Sequence, residues 1–172
     1  MKRSGSSLSG RLKVLGDNVN TDLIHNPFDF TIERKKLNCE LLGGPPGKKE
    51  RSVFLAGRNF GLGSSRFSTV LALRNSNLAA ALAVSFSRIF ERNLACAGIF
   101  PVKLAPGITG TLGRIRENDA IRLVFSRQPG GSFYSVDAGL GSRRFPALGA
   151  VDGYLYEIAE CGGMAEYLAK TK

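Results

Sequence analysis

The stretch "GRNFGLGSSRF", Gly57 to Phe67, sets three glycines beside two adjacent serines and an arginine. Glycines at this density let main-chain amides approach a ligand closely. A short apolar run, "SVFLA", precedes it and reads as a strand over residues 53–56, with a turn over 57–63 and a helix starting at Ser64 or Ser65. A helix N-terminus offers unpaired N–H groups and the positive end of its dipole, which suits an anion. Arg66 would add a fork able to grip a carboxylate bidentately, and a seryl hydroxyl surrounded by positive charge can serve as a base. The competing reading is structural: Ser64 or Ser65 as a plain helix N-cap. No Lys-Ser/Thr follows the glycines, so the loop is not a P-loop, and it lacks the G-x-S-x-G order of a hydrolase nucleophile.

The elements that must position this loop alternate between strand and helix. "LKVLGDNVNTDLI" reads as a strand running into a turn built by Asp17, Asn18, Asn20 and Asp22, and a short helix is expected from Thr31 to Leu42. "GGPPGKKE" breaks the chain into a surface loop. The helix after Ser65 is expected to end near Asn77, and the unbroken apolar run "LAAALAVSF" fits a strand buried on both faces of a parallel sheet. "SRIFERNLACAG" has helical spacing and a glycine stop, and "IFPVKL" is a further strand. From Pro106 onward, strands over 120–126, 131–139 and 143–149 form a β meander, and the C-terminal stretch is helical with a break at "CGG". The expected fold class is therefore α/β, with an antiparallel β portion. The expected domain organisation is a disordered leader over residues 1–11 and a single domain over 12–172.

The totals exclude several functions. The chain has 172 residues with a hydrophobic fraction of 43%, and no apolar run approaches the roughly 20 residues that span a bilayer, so no membrane partner is expected. The polar start, "MKRSGSSLSG", lacks the apolar core of a secretory signal, which makes the cytoplasm the expected location. The net charge of +10 raises nucleic acid as a partner, but residues 1–60 and 61–172 each carry net +5, and no tail or helix concentrates the charge. No nucleic acid is therefore expected, and an anionic small substrate or an acidic protein surface suits the charge better. Cys39, Cys96 and Cys161 are scattered and form no C-x-x-C pair, as in buried, inert thiols. They cannot supply a zinc or iron–sulfur site within this chain, so no metal ligands are assigned here.

Four stretches taken together resemble one family. "GRNFGLGSSR" is similar to the G-x-N-F-G-x-G-S-S-R-E signature of the swivelling domain of the aconitase superfamily, which in two-subunit members is the separate small subunit of isopropylmalate dehydratase and homoaconitase. "GDNVNTDLI" resembles the family's G-D-x-x-x-T-D-x-I, "AVSFSRIFERNLACAGIFPV" its A-x-S-F-A-R-I-F-x-R-N segment, and "EIAECGGMAEYL" its C-terminal helix. The likeness covers about residues 12–170. It implies a β/β/α fold with a mixed, barrel-like sheet and flanking helices. It also implies a hydro-lyase that dehydrates a hydroxy-di- or tricarboxylate and rehydrates the alkene at the neighbouring carbon. In that family a [4Fe–4S] cluster carried by the large subunit acts as Lewis acid, and the small subunit binds no cofactor of its own. Carried onto this chain, Ser64 is the base, Ser65 and Arg66 hold a substrate carboxylate, and Asp22 is an active-site carboxylate. Isopropylmalate isomerisation, as in leucine biosynthesis, is the default reaction. The alternatives are a homoaconitase- or dimethylmalate-type dehydratase and a catalytically idle docking paralogue.

Two departures stand out. The family's Glu after S-S-R is here Phe67, read either as altered helix packing or as a reshaped pocket. The family's substrate loop, such as I-P-G-P-Y-L-R-T, is replaced by "HNPFDFT". There Phe28, Asp29, Phe30 and Thr31 would meet the variable part of the substrate, and Arg34 would be a replacement grip for a second carboxylate. His25, the single histidine, lies in this loop, and the ordinary reading makes it neither ligand nor catalyst. Arg88 and Arg92 are expected to form ion pairs or face the large subunit, and Arg143 and Arg144 to be solvated.

Overall fold

In a computed structural model, residues 6–26, 28, 33, 36–42, 50–63, 66–108 and 115–171 are described. Seven strands close into a barrel: β1 (Ser7–Val14), β2 (Ser52–Ala56), β3 (Leu78–Ala83), β4 (Phe100–Leu104), β5 (Ala120–Arg127), β6 (Phe133–Leu140) and β7 (Arg143–Asp152). Their order around the barrel is β1-β2-β3-β4-β7-β6-β5. The first four run parallel; β7, β6 and β5 form the antiparallel meander, and β5 pairs antiparallel with β1 from Ser7↔Val124 to Arg11↔Ala120 to close the ring. The mixed, barrel-like sheet with flanking helices expected from the sequence is thus present.

The helices are α1 (Thr21–Ile24), α2 (Phe67–Asn75), α3 (Arg88–Cys96), α4 (Gly153–Glu160) and α5 (Met164–Lys170). Strand β1 opens at Ser7, so the barrel begins five residues before the domain start expected at residue 12. Its buried–exposed alternation fits a strand with one wet face, and pairing on both edges holds it in place. Of the helix expected over Thr31–Leu42, residues 33 and 36–42 are described, and they contain no α-helix; the chain there ends in a 3-10 turn, Glu40–Leu42. Helix α2 ends at Asn75 rather than near Asn77, where Asn77 takes the left-handed conformation (φ 63°) that an asparagine tolerates.

Alternation along β2 and β3 explains their unbroken apolar runs. Val53, Leu55, Ala80 and Leu82 join one buried cluster with Leu12, Leu123 and Val136 of the barrel. Phe54, Ala56, Ala81 and Ala83 point the other way and join Val70, Leu73, Phe90 and Leu94 of α2 and α3. Each fully buried Leu or Phe contributes roughly 1.5–3 kcal/mol, so these two layers fix the strand ends as a rigid platform. On the far side α4 is anchored through Tyr156, which stacks on Tyr134 at 3.6 Å between ring centroids. Of the three free cysteines only Cys39 is fully buried, whereas Cys96 and Cys161 are half-buried, contrary to the expectation of three buried thiols.

Candidate active site

Strands β1, β2 and β3 are parallel, with Val14 beside Leu55 and Leu55 beside Leu82, so their C-terminal ends reach the same end of the barrel. Ligand sites of parallel sheets form at such ends, where neighbouring loops converge. Three loops meet there: residues 15–20 after β1, the glycine loop after β2, and residues 84–87 after β3.

Main-chain hydrogen bonds zip the glycine loop between the other two. On one side the Gly57 amide donates to Gly16 O (3.1 Å), Asn18 N to Arg58 O (2.8 Å), Gly61 N to Val19 O (3.0 Å) and Thr21 N to Leu62 O (2.8 Å). On the other, Val84 N donates to Gly57 O (3.1 Å), Phe60 N to Ser85 O (2.9 Å) and Ser87 N to Phe60 O (3.0 Å). Phe60 is fully buried and pins the loop from below, its ring 5.3 Å from Phe90, 6.0 Å from Phe86 and 6.1 Å from Phe54. Gly61 lies directly over the Phe90 ring at φ 81°, so both space and backbone require glycine there.

Asp22 and Arg66, 44 residues apart in sequence, meet across this junction: Arg66 Nη2 lies 2.8 Å from Asp22 Oδ1. Asp22 stands in the first turn of α1, whose N-cap, Asn20, accepts from the Asp22 amide at 3.0 Å. Both charged side chains are partly open to solvent, at 36% and 49%. Such a pair is worth at most about 1 kcal/mol, so an incoming carboxylate can take the arginine from the aspartate at small cost. Arg66, not Ser64 or Ser65, is the N-cap of α2, which overturns the reading of either serine as the cap. The Arg66 side chain makes no capping bond, and the first turn of the helix holds no acid. In contrast, α4 is capped by Asp152, whose Oδ1 accepts from Tyr154 N and Leu155 N. The first turn of α2 thus supplies no acid of its own, and a guanidinium stands beside the positive end of the helix.

Phe67 opens α2 and is 41% exposed, so it does not repack the helix against the core. Leu62 and Leu23, sequence neighbours of the site, are exposed as well, and Phe28 is 80% exposed. Of the residues read as functional in sequence, Asp22 and Arg66 come together and Phe28 stands open to solvent; Ser64, Ser65, Asp29, Phe30, Thr31 and Arg34 lie outside the described residues. His25 is buried, with Nδ1 3.2 Å from Asn38 O, a contact that ties the end of α1 to the chain near residue 38. Arg88 and Arg92 line a cleft of about 620 Å³ between α3, β4 and α4, in which Glu91 pairs with Lys103 at 2.8 Å. Arg144 Nη1 donates to Gly141 O at 3.4 Å. Asp17 and Asn18 read in sequence only as turn formers, and Asn59 and Ser85 carry no assigned role there, yet groups of all four bond across the loops; only the pairing of the loops in space reveals them.

Among the described residues no group of three or more His, Cys, Asp or Glu converges to hold a metal ion. Burial pushes the Cys39 thiol up to about 11, against the pull of main-chain hydrogen bonds, and burial also raises Cys96. These thiols are thus held neutral and apart, and they do not fit an iron–sulfur cluster, whose ligands must be thiolates gathered at one point.

Comparison with known proteins agrees with this geometry. Residues 46–107 match the family Aconitase C-terminal domain. The chain is 31% identical over 166 residues to the 3-isopropylmalate dehydratase small subunit of Pyrobaculum calidifontis, covering 94% of this chain and 96% of that one. It is 29% identical over 171 residues to the methanogen homoaconitase small subunit of Methanocaldococcus jannaschii, covering 96% and 93%. The crystal structure of 3-isopropylmalate dehydratase from Methanocaldococcus jannaschii superposes with a TM-score of 0.68 at 25% identity, covering 96% and 95% of the two chains. Barrel, loop junction and relatives lead to one conclusion: the chain belongs to the small-subunit, swivelling-domain family of the aconitase superfamily, of the isopropylmalate dehydratase and homoaconitase type.

Proposed function

We propose that this chain is the small subunit of a two-subunit cytoplasmic hydro-lyase that isomerises 3-isopropylmalate and 2-isopropylmalate by loss and re-addition of water. The observation that carries the reading is the Arg66 guanidinium, held 2.8 Å from Asp22 at the N-terminus of α2. There it receives a substrate carboxylate together with Ser65, while Asp22 is released to the edge of the site. Ser64, two residues before that N-cap, takes the proton from the carbon next to the one that loses hydroxide, so that proton and hydroxide leave as water and an alkene remains. The helix end and Arg66 lower the cost of a serine alkoxide. This chain's own cysteines do not fit a cluster; the [4Fe–4S] group belongs to the large subunit, where it supplies a Lewis acid for the departing hydroxyl.

Phe28 and Phe30 lie against the apolar substituent, Asp29 and Thr31 border it, and Arg34 reaches a second carboxylate where one is present. The exposed ring of Phe28 favours an alkyl group such as isopropyl. The partners are the large subunit and a small dicarboxylate, with no nucleic acid. The reconstituted pair should hydrate isopropylmaleate in preference to a longer tricarboxylate alkene, and Ser64→Ala should lower turnover by at least about a thousandfold while the two chains still co-purify. Unchanged turnover in Ser64→Ala would remove the serine base. Preference for the tricarboxylate would assign the chain to the homoaconitase type, and an inactive but assembled pair would make it a docking paralogue.

A further inference from the structure

Three side-chain bonds in the loop junction converge around Asn59. Its amide N–H donates to Ser85 Oγ at 2.8 Å, its Nδ2 donates to Asn18 Oδ1 at 2.9 Å, and the preceding amide, of Arg58, donates to Asp17 Oδ1 at 2.7 Å. Asn59 and Asn18 both adopt the left-handed conformation, with φ 54° and 57°. Asparagine tolerates that region while keeping a side chain that can bond, which glycine cannot do. The side chain of Asn59 is thus bound to the loop after β1 and its main chain to the loop after β3.

The left-handed turn at Asn59 has a directional effect. It sends Phe60 down among Phe54, Phe86 and Phe90, and it starts the run of Gly61 and Leu62 alongside Val19–Thr21. That run leads on in sequence to Arg66, which stands opposite Asp22. Asn18 and Asn59 carry amides, which neither take up nor release a proton at neutral pH, so their chemistry is that of fixing geometry.

We infer that Asn59, bolted to Asn18 and Ser85, is a positioning residue that sets the glycine loop in register with Asp22, and through it the placement of Ser64 and Arg66. The consequence for turnover rests on the hydro-lyase reading; the loop geometry does not. Removing one exposed hydrogen bond leaves the fold intact, because the net contribution of each is only modest. A small displacement of catalytic groups, however, costs rate steeply.

The test uses Asn59→Gly and Asn18→Gly, which keep the left-handed backbone and delete only the side chains, and the double variant, each in the full chain assembled with its large subunit. Amide exchange at Gly61 and Thr21 should accelerate at least about tenfold in Asn59→Gly, with exchange in β2 unchanged. Turnover per folded complex should fall about tenfold, and the double variant should be no slower than Asn59→Gly alone, because both remove the same bond. Asn59→Asp, whose carboxylate accepts from the Asn18 amide once that amide turns over, should restore turnover to within about twofold. Unaltered exchange at Gly61 and Thr21, or losses that multiply in the double variant, would overturn the inference. An unmutated complex without dehydratase activity would sink the hydro-lyase reading instead, and the exchange rates would still decide whether Asn59 holds the loop.

Discussion

In the proposed site Arg66 takes the substrate carboxylate, and its setting tells what a substitution will do. The guanidinium is shared with Asp22 in a partly exposed pair, so its loss costs the fold at most about 1 kcal/mol. Its value lies in a planar fork that matches a carboxylate, which an ammonium does not reproduce. Arg66→Lys should therefore raise KM for the diacid about tenfold and shift the urea midpoint hardly at all. A large loss of stability with unchanged KM would show that the arginine is structural. The sequence disclosed Arg66 and Asp22 by motif, but not their meeting, since residues 44 positions apart carry no local sign of contact. Nor was the cap legible. Serine is the common N-cap, and only the observed start of α2 at Phe67 moves that position to Arg66.

Elements explain why the loop can be both glycine-rich and fixed. Strand β2 delivers it from a two-faced buried position, and the continuous apolar runs of β2 and β3 made those parallel strands readable in the sequence. Gly61 is the tightest point. A Cβ there meets the Phe90 ring of α3, and the backbone sits at φ 81°. Gly61→Ala should destabilise the protein by about 2–4 kcal/mol, combining left-handed strain with overpacking, as read from urea unfolding. A shift below about 1 kcal/mol would mean that α3 yields easily to the loop. Closure was legible at this scale only through the family resemblance, not in any local pattern. The alternation along β1 announces one wet face, yet the same pattern fits an edge strand, and nothing local names β5 as its second partner.

The molecule as a whole holds titratable groups neutral in its interior, and that fixes its alkaline limit. Cys39 titrates near 11 in the folded chain against an ordinary value of 9.0, because burial disfavours the thiolate. Between those two values the unfolded chain loses the proton and the folded chain keeps it, so stability is complete below about pH 9 and declines toward about pH 11. The loss amounts to about 3 kcal/mol. Burial raises Tyr156 as well, against its bond to Ser6, and adds to the decline in the same direction. Urea unfolding across this window should show the decline in the parent chain and a shallower one in Cys39→Ala; equal slopes would exclude the thiol as the cause. Closure of the barrel has a consequence of another kind, in the order of synthesis. Strand β1 emerges first and gains β2 on one edge, but its other edge waits for Ala120–Arg127. Until β5 is made, β1 keeps an open edge, with unpaired amides and carbonyls available to any neighbour. Arg11 and Lys13, which pair with Glu50 and Glu117 in the finished barrel, put positive charge on that strand during the wait and discourage two unfinished chains from joining.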